Sequence, residues 1–163
     1  MPRYARRSAR VLLIDSEDRV LLLRSALLPG PGHVWLTPGG GVKWWERLRP
    51  AAARELREEV GLAVRPRDLR PVAFTTGHAD LTFARGLFRD DFFVYRVDRH
   101  EVDTSGHTEL ERKHYAGFRW WSAAELAATD ETVYPFRLAG LLADLVVGAS
   151  PAELVELPWH HFG

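Results

Sequence analysis

Residues 39–62 read GGGVKWWERLRPAAARELREEVGL, a glycine-rich turn that leads into a segment with three glutamates near its end. Gly39, Gly40 and Gly41 supply backbone that can take positive φ and lie close to a ligand, and Gly61 suits a left-handed helix cap. Between them, apolar residues recur at the spacing of one helical face: Leu48, Ala52, Leu56 and Val60. The pattern therefore predicts a helix that ends at Gly61.

Three glutamates of this helix, Glu55, Glu58 and Glu59, share one surface. Glu55 and Glu59 stand four residues apart and repel one another by roughly 0.2–0.5 kcal/mol. Sequences that break such local rules often do so at functional sites, and clustered carboxylates beside a glycine-rich turn are the hard oxygen ligands that Mg²⁺ or Mn²⁺ needs. The pattern indicates a metal–phosphate site, and the alternative is a solvated acidic face neutralised by Arg54 and Arg57.

The same stretch resembles the Nudix box without a gap. Gly40 is followed after five residues by Glu46, and after seven more by RELREEVGL at residues 54–62, so every fixed position of that pattern is matched. The resemblance implies an α/β Nudix fold, an α/β/α sandwich with a mixed central sheet flanked by helices. We expect a single domain over residues 1–163, with its core at about residues 10–147.

The resemblance also implies the roles of individual residues. It implies divalent-metal ligands at Glu55, Glu58 and Glu59, joined by the backbone carbonyl of Gly39. Glu46 and Arg54 are expected to brace the loop against the helix through a charge-assisted hydrogen bond that fixes the ligands. The implied reaction is Mg²⁺-dependent hydrolysis, with Mn²⁺ as a substitute, of a pyrophosphate bond in a nucleoside diphosphate linked to another group.

The base that takes a proton from the attacking water has several candidates. Glu55, Glu58 and Glu59 are available, but some Nudix proteins use a glutamate from a later loop. Here that loop is the polar stretch at residues 98–115, which offers Glu109 and Glu111, with His114 as a third choice. For each of the loop residues, a solvated side chain without a catalytic role is the alternative.

Candidates for substrate binding lie on both sides of the box. Gly40 and Gly41 offer backbone groups, and Arg24 follows the apolar run at residues 21–23, where it either faces the site or is a solvated strand end. Trp44 and Trp45 could stack on a nucleobase, form a self-association patch that allows a homodimer, or pack on the sheet.

Two residues inside the box depart from what family members commonly carry. Lys43 stands where glutamate is common and Trp45 where glycine is common. These departures keep a second hypothesis open, a catalytically weak nucleotide-binding sensor or regulator with the Nudix fold.

The amino-acid composition argues against several classes of binding partner and site. Lysine plus arginine (22) equals aspartate plus glutamate (22), so the net charge favours neither nucleic acid nor an anionic membrane. The chain has no cysteine, which excludes disulfides, thiolate metal sites and a cysteine nucleophile. No apolar run is long enough to span a membrane, and we expect a cytoplasmic protein. Its basic start, residues 1–10, is predicted to be a solvated terminus, and a phosphate-binding arm is the alternative.

The rest of the chain predicts alternating strands and helices. Residues 10–14 and 20–24 predict a β-hairpin buried on both faces, and further strands are predicted at residues 34–36, 63–65, 71–76, 81–83, 91–97 and 118–121. Ser122 and Glu125 form a capping box that opens a short helix. An apolar helix is predicted at about residues 135–147, and a helical turn at residues 153–157.

Overall fold

One mixed β-sheet forms the centre of the molecule, and a computed structural model describes residues 2–149 and 151–160. Within these residues the strands are β1 Arg6–Ile14, β2 Val20–Ala26, β3 His33–Leu36, β4 Gly39–Gly41, β5 Arg70–Leu81, β6 Ala84–Arg96, β7 Tyr115–Trp121, β8 Val133–Tyr134 and β9 Val155–Glu156. The helices are α1 Leu48–Val60, α2 Glu109–His114, α3 Ala123–Ala128 and α4 Leu138–Val146, with a 3-10 turn at Pro66–Asp68.

Strand β1 is the central strand of the sheet. The strand order is β8-β3-β2-β1-β6-β5-β9; in addition, β4 pairs with β1 and β7 pairs with β2. β1 runs parallel to β6 along its whole length. On its other side it is in register with β2 at Ile14, opposite Val20, and with β4 at Arg10, opposite Gly39. The sheet therefore divides along β1, and a cleft opens between β4 and the far part of β2.

Hydrophobic residues of β1 face both sides of the sheet, as a strand buried on both faces requires. Val11 and Leu13 pack in one core with residues of α1, whereas Leu12 and Ile14 pack in a second core with residues of α3 and α4. Helices thus cover both faces of a mixed sheet, which confirms the predicted α/β/α sandwich.

Most of the predicted elements are confirmed. The first hairpin, the short strand before the glycines, the box helix and the strand at residues 91–97 are present, the last as part of β6. Gly61 ends α1 at φ 75°, in the predicted left-handed cap. Ser122 and Glu125 form the capping box of α3.

Four predictions of local structure are wrong. Residues 63–65 form no strand, because the chain turns directly into the 3-10 turn that begins at Pro66. Residues 71–76 and 81–83 are not separate strands, since the glycine and polar residues between them pair with β6 and continue β5 to Leu81. Residues 153–157 contain β9 rather than a helical turn, and the loop at residues 98–115 ends in α2.

The prediction of a solvated basic terminus is also wrong. Arg6, Arg7 and Arg10 belong to β1 and are hydrogen-bonded in register with β6. Only 19% of the Arg10 side chain is exposed, and its Nη1 donates to the Thr37 carbonyl oxygen at 3.1 Å. These arginines are therefore held in fixed positions beside the cleft.

No helix among residues 2–149 and 151–160 has the length and apolar composition needed to cross a lipid bilayer.

The C-terminal segment docks on β5 through a close contact between Gly77 and Trp159. The Trp159 Nε1–H donates to the His78 carbonyl oxygen at 3.2 Å, and a Cβ atom added at Gly77 would lie 2.1 Å from the indole ring. No side chain at position 77 fits while the indole stays in place.

We predict that Gly77→Ala lowers the melting temperature by at least about 3 °C. Overpacking lowers the free energy of unfolding by about 1–3 kcal/mol, and each kcal/mol lowers the melting temperature of a domain of this size by roughly 2–4 °C. Gly140→Ala is the matched control, since a Cβ atom there meets nothing within 4 Å. In a Trp159→Ala background the Gly77→Ala penalty should largely disappear. An equal penalty in both backgrounds, measured by thermal denaturation, would contradict the docking.

Candidate active site

Helix α1 meets the glycine strand β4 at the deepest part of the cleft. The Gly39 N–H donates to the Glu59 carboxylate Oε2 at 2.8 Å. Gly39 has φ 147°, and a Cβ atom there would lie 2.4 Å from the Ala9 carbonyl oxygen; a Cβ atom at Gly40 would lie 2.7 Å from the Glu55 carboxylate. Only glycine lets the helix carboxylates approach the strand this closely.

Arg54 connects the loop before α1 to the helix itself. Its guanidinium donates to both carboxylate oxygens of Glu46, at 2.7 and 2.8 Å, and to the Gly41 carbonyl oxygen at 3.1 Å. The same side chain donates through Nη1 to Glu55 at 2.9 Å and to Glu58 at 3.2 Å. A two-pronged arginine–carboxylate pair of this kind fixes geometry as well as charge, so the contact predicted between Glu46 and Arg54 is present.

A third carboxylate reaches the two deepest glutamates of α1 from α2. Oxygens of Glu55, Glu59 and Glu111 lie within 4.8 Å of one another, and all three residues are partly buried. Glu111 is held by a capping box, in which its Oε1 accepts from the Thr108 N–H at 3.1 Å. We refer to Glu55, Glu59 and Glu111 as the carboxylate trio.

Two histidines attach the segment that carries Glu111 to the C-terminal end of α1. The His107 Nε2 lies 2.7 Å from the Glu59 carbonyl oxygen, and the His100 Nε2 lies 2.7 Å from the Val60 carbonyl oxygen. The last carbonyl groups of a helix lack partners within the helix, so these contacts satisfy them. The loop is thereby fixed where it delivers Glu111 to the helix.

The electrostatics of the trio are unfavourable without a cation. Loss of hydration raises the pKa of Glu59 to about 8, with the charge of Glu55 adding to the effect, while the hydrogen bond from Gly39 opposes it. Burial also raises the pKa of Glu55, and Arg54 only partly offsets this. By contrast, the hydrogen bonds from Arg54 lower the pKa of Glu46. Crowded carboxylates with raised pKa values form a donor set that fits a hard divalent cation.

Two members of the trio, Glu59 and Glu111, line a cavity of about 440 Å³ that lies in the cleft of the divided sheet. We refer to this space as the catalytic cavity. Its wall includes three arginines, Arg6, Arg10 and Arg24. Two apolar side chains at its edge are mostly exposed: Phe83 at 63%, from the turn between β5 and β6, and Leu110 at 67%, from α2.

The structure separates the predicted site residues into two groups. Gly39, Glu59, Glu111, Arg24 and His114 line the catalytic cavity. Glu55 joins the trio; Gly40 and Gly41 contact Glu55 and Arg54, as described above.

The remaining predicted site residues do not line the catalytic cavity. Glu58 is bonded to Arg54, and neither it nor the exposed Glu109 belongs to the group of close carboxylates found among the described residues. Trp44 and Trp45 are 91% and 63% exposed and form an edge-to-face pair with ring centroids 5.5 Å apart. Neither tryptophan lines the catalytic cavity.

Phe83 was missed from the sequence, and Arg6 and Arg10 were considered only under the alternative of a phosphate-binding arm. Arg6, Arg10 and Phe83 are brought to the site by strand pairing, which leaves no local signal. The capping box of α2 was readable, because Thr108 precedes Glu111 by three residues. Recognising it would have favoured Glu111 over Glu109, since a capping glutamate has a fixed position.

We predict that Glu59→Gln stabilises the metal-free protein at high pH. A carboxyl whose pKa rises on folding binds a proton more tightly in the folded state. Its favourable contribution to the free energy of unfolding is therefore complete below the ordinary pKa and is lost as the pH rises through about 8. In EDTA, the melting temperature of the variant should exceed that of the original chain by at least about 3 °C more at pH 9 than at pH 5. Glu109→Gln, on the exposed side of α2, should show no such pH dependence; equal behaviour of the two variants would contradict the burial of Glu59.

Comparisons with known proteins agree with this geometry. The family model of the NUDIX domain matches residues 5–142. The nucleoside triphosphatase NudI of Salmonella arizonae is 29% identical over 135 residues, which cover 80% of this chain and 94% of that protein. NudI of Salmonella newport shows the same identity and coverage.

Solved structures share the fold. The MutT protein from Bacillus halodurans superposes with a TM-score of 0.64 at 17% identity, over 96% of this chain and 90% of that one. The MutT NUDIX hydrolase from Burkholderia pseudomallei gives a TM-score of 0.62 at 20% identity, over 82% of this chain and 94% of that one. With its intact box, its fold and a family match across most of its length, the chain belongs to the NUDIX family and is a Nudix-type pyrophosphohydrolase.

Proposed function

We propose that the protein hydrolyses a pyrophosphate bond in a nucleotide, with Mg²⁺ or Mn²⁺ held by Glu55, Glu59 and Glu111 together with the backbone of Gly39. The observation that carries the proposal is the carboxylate trio, which opens into a cavity lined by arginines. When bound, the divalent cation would neutralise charge on the diphosphate and activate water. Glu58, which accepts from Arg54 at 3.2 Å, remains a proposed further ligand next to the trio.

The arginines of the catalytic cavity bind the phosphate groups of the substrate. Arg10 is anchored at both ends of its guanidinium, to the Thr37 carbonyl at 3.1 Å and near the Asp90 carboxylate at 3.8 Å. Arg24 lies 3.9 Å from Glu131 and keeps donors for a ligand. These fixed cations hold a polyanion in place against the carboxylates, so the scissile bond is presented in one orientation.

The trio also supplies the proton acceptor. Glu55 uses one oxygen to accept from Arg54, and Glu59 uses one to accept from Gly39. Each keeps a second oxygen, and a carboxylate whose second oxygen does not hold the cation takes the proton from an attacking water. As the proton transfers to a carboxylate, the water oxygen forms a bond to phosphorus and the bridging oxygen of the pyrophosphate leaves with the second phosphate group.

The edge of the cavity accommodates the base of the nucleotide. Phe83 extends from the turn between β5 and β6, and the Arg6 guanidinium lies 4.7 Å from the centre of its ring. An exposed aromatic ring beside a phosphate-binding arginine is a surface on which a base can stack. Both nucleoside triphosphates and nucleoside diphosphates linked to another group satisfy this arrangement, and the similarity to a nucleoside triphosphatase makes triphosphates the first choice for testing.

The test is a substrate panel with Mg²⁺ or Mn²⁺, in which the released mononucleotide is measured by chromatography. The panel holds nucleoside triphosphates, an oxidised guanine nucleotide, a dinucleoside polyphosphate, ADP-ribose and a nucleoside diphosphate sugar. Turnover of at least one of these compounds supports the proposal. Metal binding with no turnover of any, together with tight binding of intact nucleotide, supports the sensor hypothesis instead.

We predict that Glu111→Gln lowers kcat/KM by at least about 100-fold, because it removes one carboxylate of the trio. Glu109→Gln is the matched control: it lies two residues away on α2, is exposed and does not line the cavity. It should change kcat/KM by less than about threefold. Equal effects of the two substitutions would show that the trio does not carry the chemistry.

We predict that Phe83→Ala raises KM by about 5- to 100-fold, because a stacked base contributes about 1–3 kcal/mol. Phe83→Tyr keeps the ring and should keep the KM. The distinguishing measurement is the same Phe83→Ala comparison with inorganic tripolyphosphate as an inhibitor, whose affinity should not change because it has no base. A parallel loss for tripolyphosphate would mean that Phe83 acts on the phosphate site.

A further inference from the structure

A second cavity, of about 990 Å³, lies beside the N-terminal end of α1 and shares no lining residue with the catalytic cavity. We refer to it as the basic cavity. The chain that borders it comes from the loop before α1, the first turn of α1, the 3-10 turn, and strands β1, β5 and β6. Its volume falls within the range of small-molecule sites, about 300–1,000 Å³.

Positive charge dominates this cavity. Six cationic residues line it against two carboxylates, Glu46 and Asp91; the six are Arg7, Lys43, Arg47, Arg49, Arg67 and Arg89. Both carboxylates are already paired. Asp91 is held by Arg7 at 2.9 Å and by Arg89 at 3.0 Å, and Glu46 is held by Arg54.

Four cationic residues of the basic cavity have no carboxylate partner in the described part of the chain. Lys43, Arg47, Arg49 and Arg67 make no ion pair within 4.0 Å to any carboxylate of residues 2–149 and 151–160. Like charges gathered around one concave surface repel one another and attract an anion. Behind them, the buried Nε of Arg7 also has no hydrogen-bond partner. The lining is therefore complementary to a ligand with several anionic oxygens.

The cavity also offers an aromatic surface. Trp44 lines it and is 91% exposed, which is unusual for the residue with the largest apolar surface. Behind the charges, the wall includes the buried ring of Phe93. A flat aromatic side chain next to unpaired cations fits a ligand that joins an aromatic ring to a phosphate.

We propose that the basic cavity is a second, non-catalytic nucleotide site, in which Arg47 and Arg67 bind the phosphate and Trp44 stacks on the base. The site cannot cleave its ligand, because both of its carboxylates are neutralised by arginines and none is available to hold a metal ion. It is distinct from the catalytic cavity, where the carboxylate trio repels phosphate unless a divalent cation is present.

The experiment titrates GMP into the full chain in EDTA and measures binding by calorimetry. GMP has no pyrophosphate bond and is not consumed. We expect saturable binding without metal, at least about tenfold weaker for guanosine and for the double variant Arg47→Ala/Arg67→Ala, since each removes charge-assisted hydrogen bonds. Trp44→Ala should weaken GMP binding by about fivefold or more.

Two matched variants locate the binding. Arg57→Ala/Arg99→Ala removes two exposed arginines outside the basic cavity and should leave the GMP affinity within about twofold. Arg24→Ala alters the catalytic cavity and should also leave it unchanged. The proposal is overturned by any of three results: no binding in EDTA, equal affinity for guanosine and GMP, or binding that is lost with Arg24→Ala but kept with the Arg47→Ala/Arg67→Ala double variant.

If a second copy of this chain occupies the basic cavity, sedimentation and calorimetry will distinguish it from a nucleotide. If Trp44 instead contacts a second copy of this chain, sedimentation will show a concentration-dependent dimer that Trp44→Ala dissociates, and GMP will not bind. That outcome also overturns the proposal. Because the binding assay contains no divalent cation and measures no turnover, its result is independent of whether the proposed hydrolysis is correct.

Discussion

The burial of three carboxylates with oxygens within 4.8 Å of one another is the constraint on which the site depends. Folding brings Glu55, Glu59 and Glu111 together although none of them neutralises another. Their positions are imposed by contacts outside the trio: the N–H of Gly39, the guanidinium of Arg54 and the capping box at Thr108. A divalent cation bound by the trio would offset the free energy that opposes this crowding in the metal-free protein.

The contacts that hold the trio come from two parts of the chain far apart in sequence, residues 39–46 and residues 98–111. Two histidines of the loop at residues 98–108 contact the end of α1, and the glycine strand contacts the Glu59 side chain in its last turn. Arg54 contacts the loop that precedes the helix. Each of these contacts uses a backbone group or a paired charge, so the positions of the three carboxylates are fixed by partners within the chain and require no ligand.

The features that could be predicted from the sequence are those that depend on residues close together in the chain. The box helix and its glycine cap follow from the spacing of residues close together in the chain, whereas the Glu46–Arg54 pair was expected from the resemblance to the Nudix box. Arg6, Arg10 and Phe83 reach the cavity through the pairing of β1 with β4 and of β5 with β6, and no short-range pattern encodes that pairing. The continuous β5 was missed for the same reason, because Gly77 and Asp80 suggest a turn until β6 is placed beside them.

The division of the sheet along β1 has a consequence for how specificity can change. Strands form the floor of the cleft, where Gly39 and Arg10 are opposite each other in the ladder. Its edge is formed by a hairpin turn and a six-residue helix, which carry Phe83 and Leu110. Substitutions of Phe83 and Leu110 leave the strand ladder untouched, so the shape of this edge can change while Gly39 and Arg10 keep their positions.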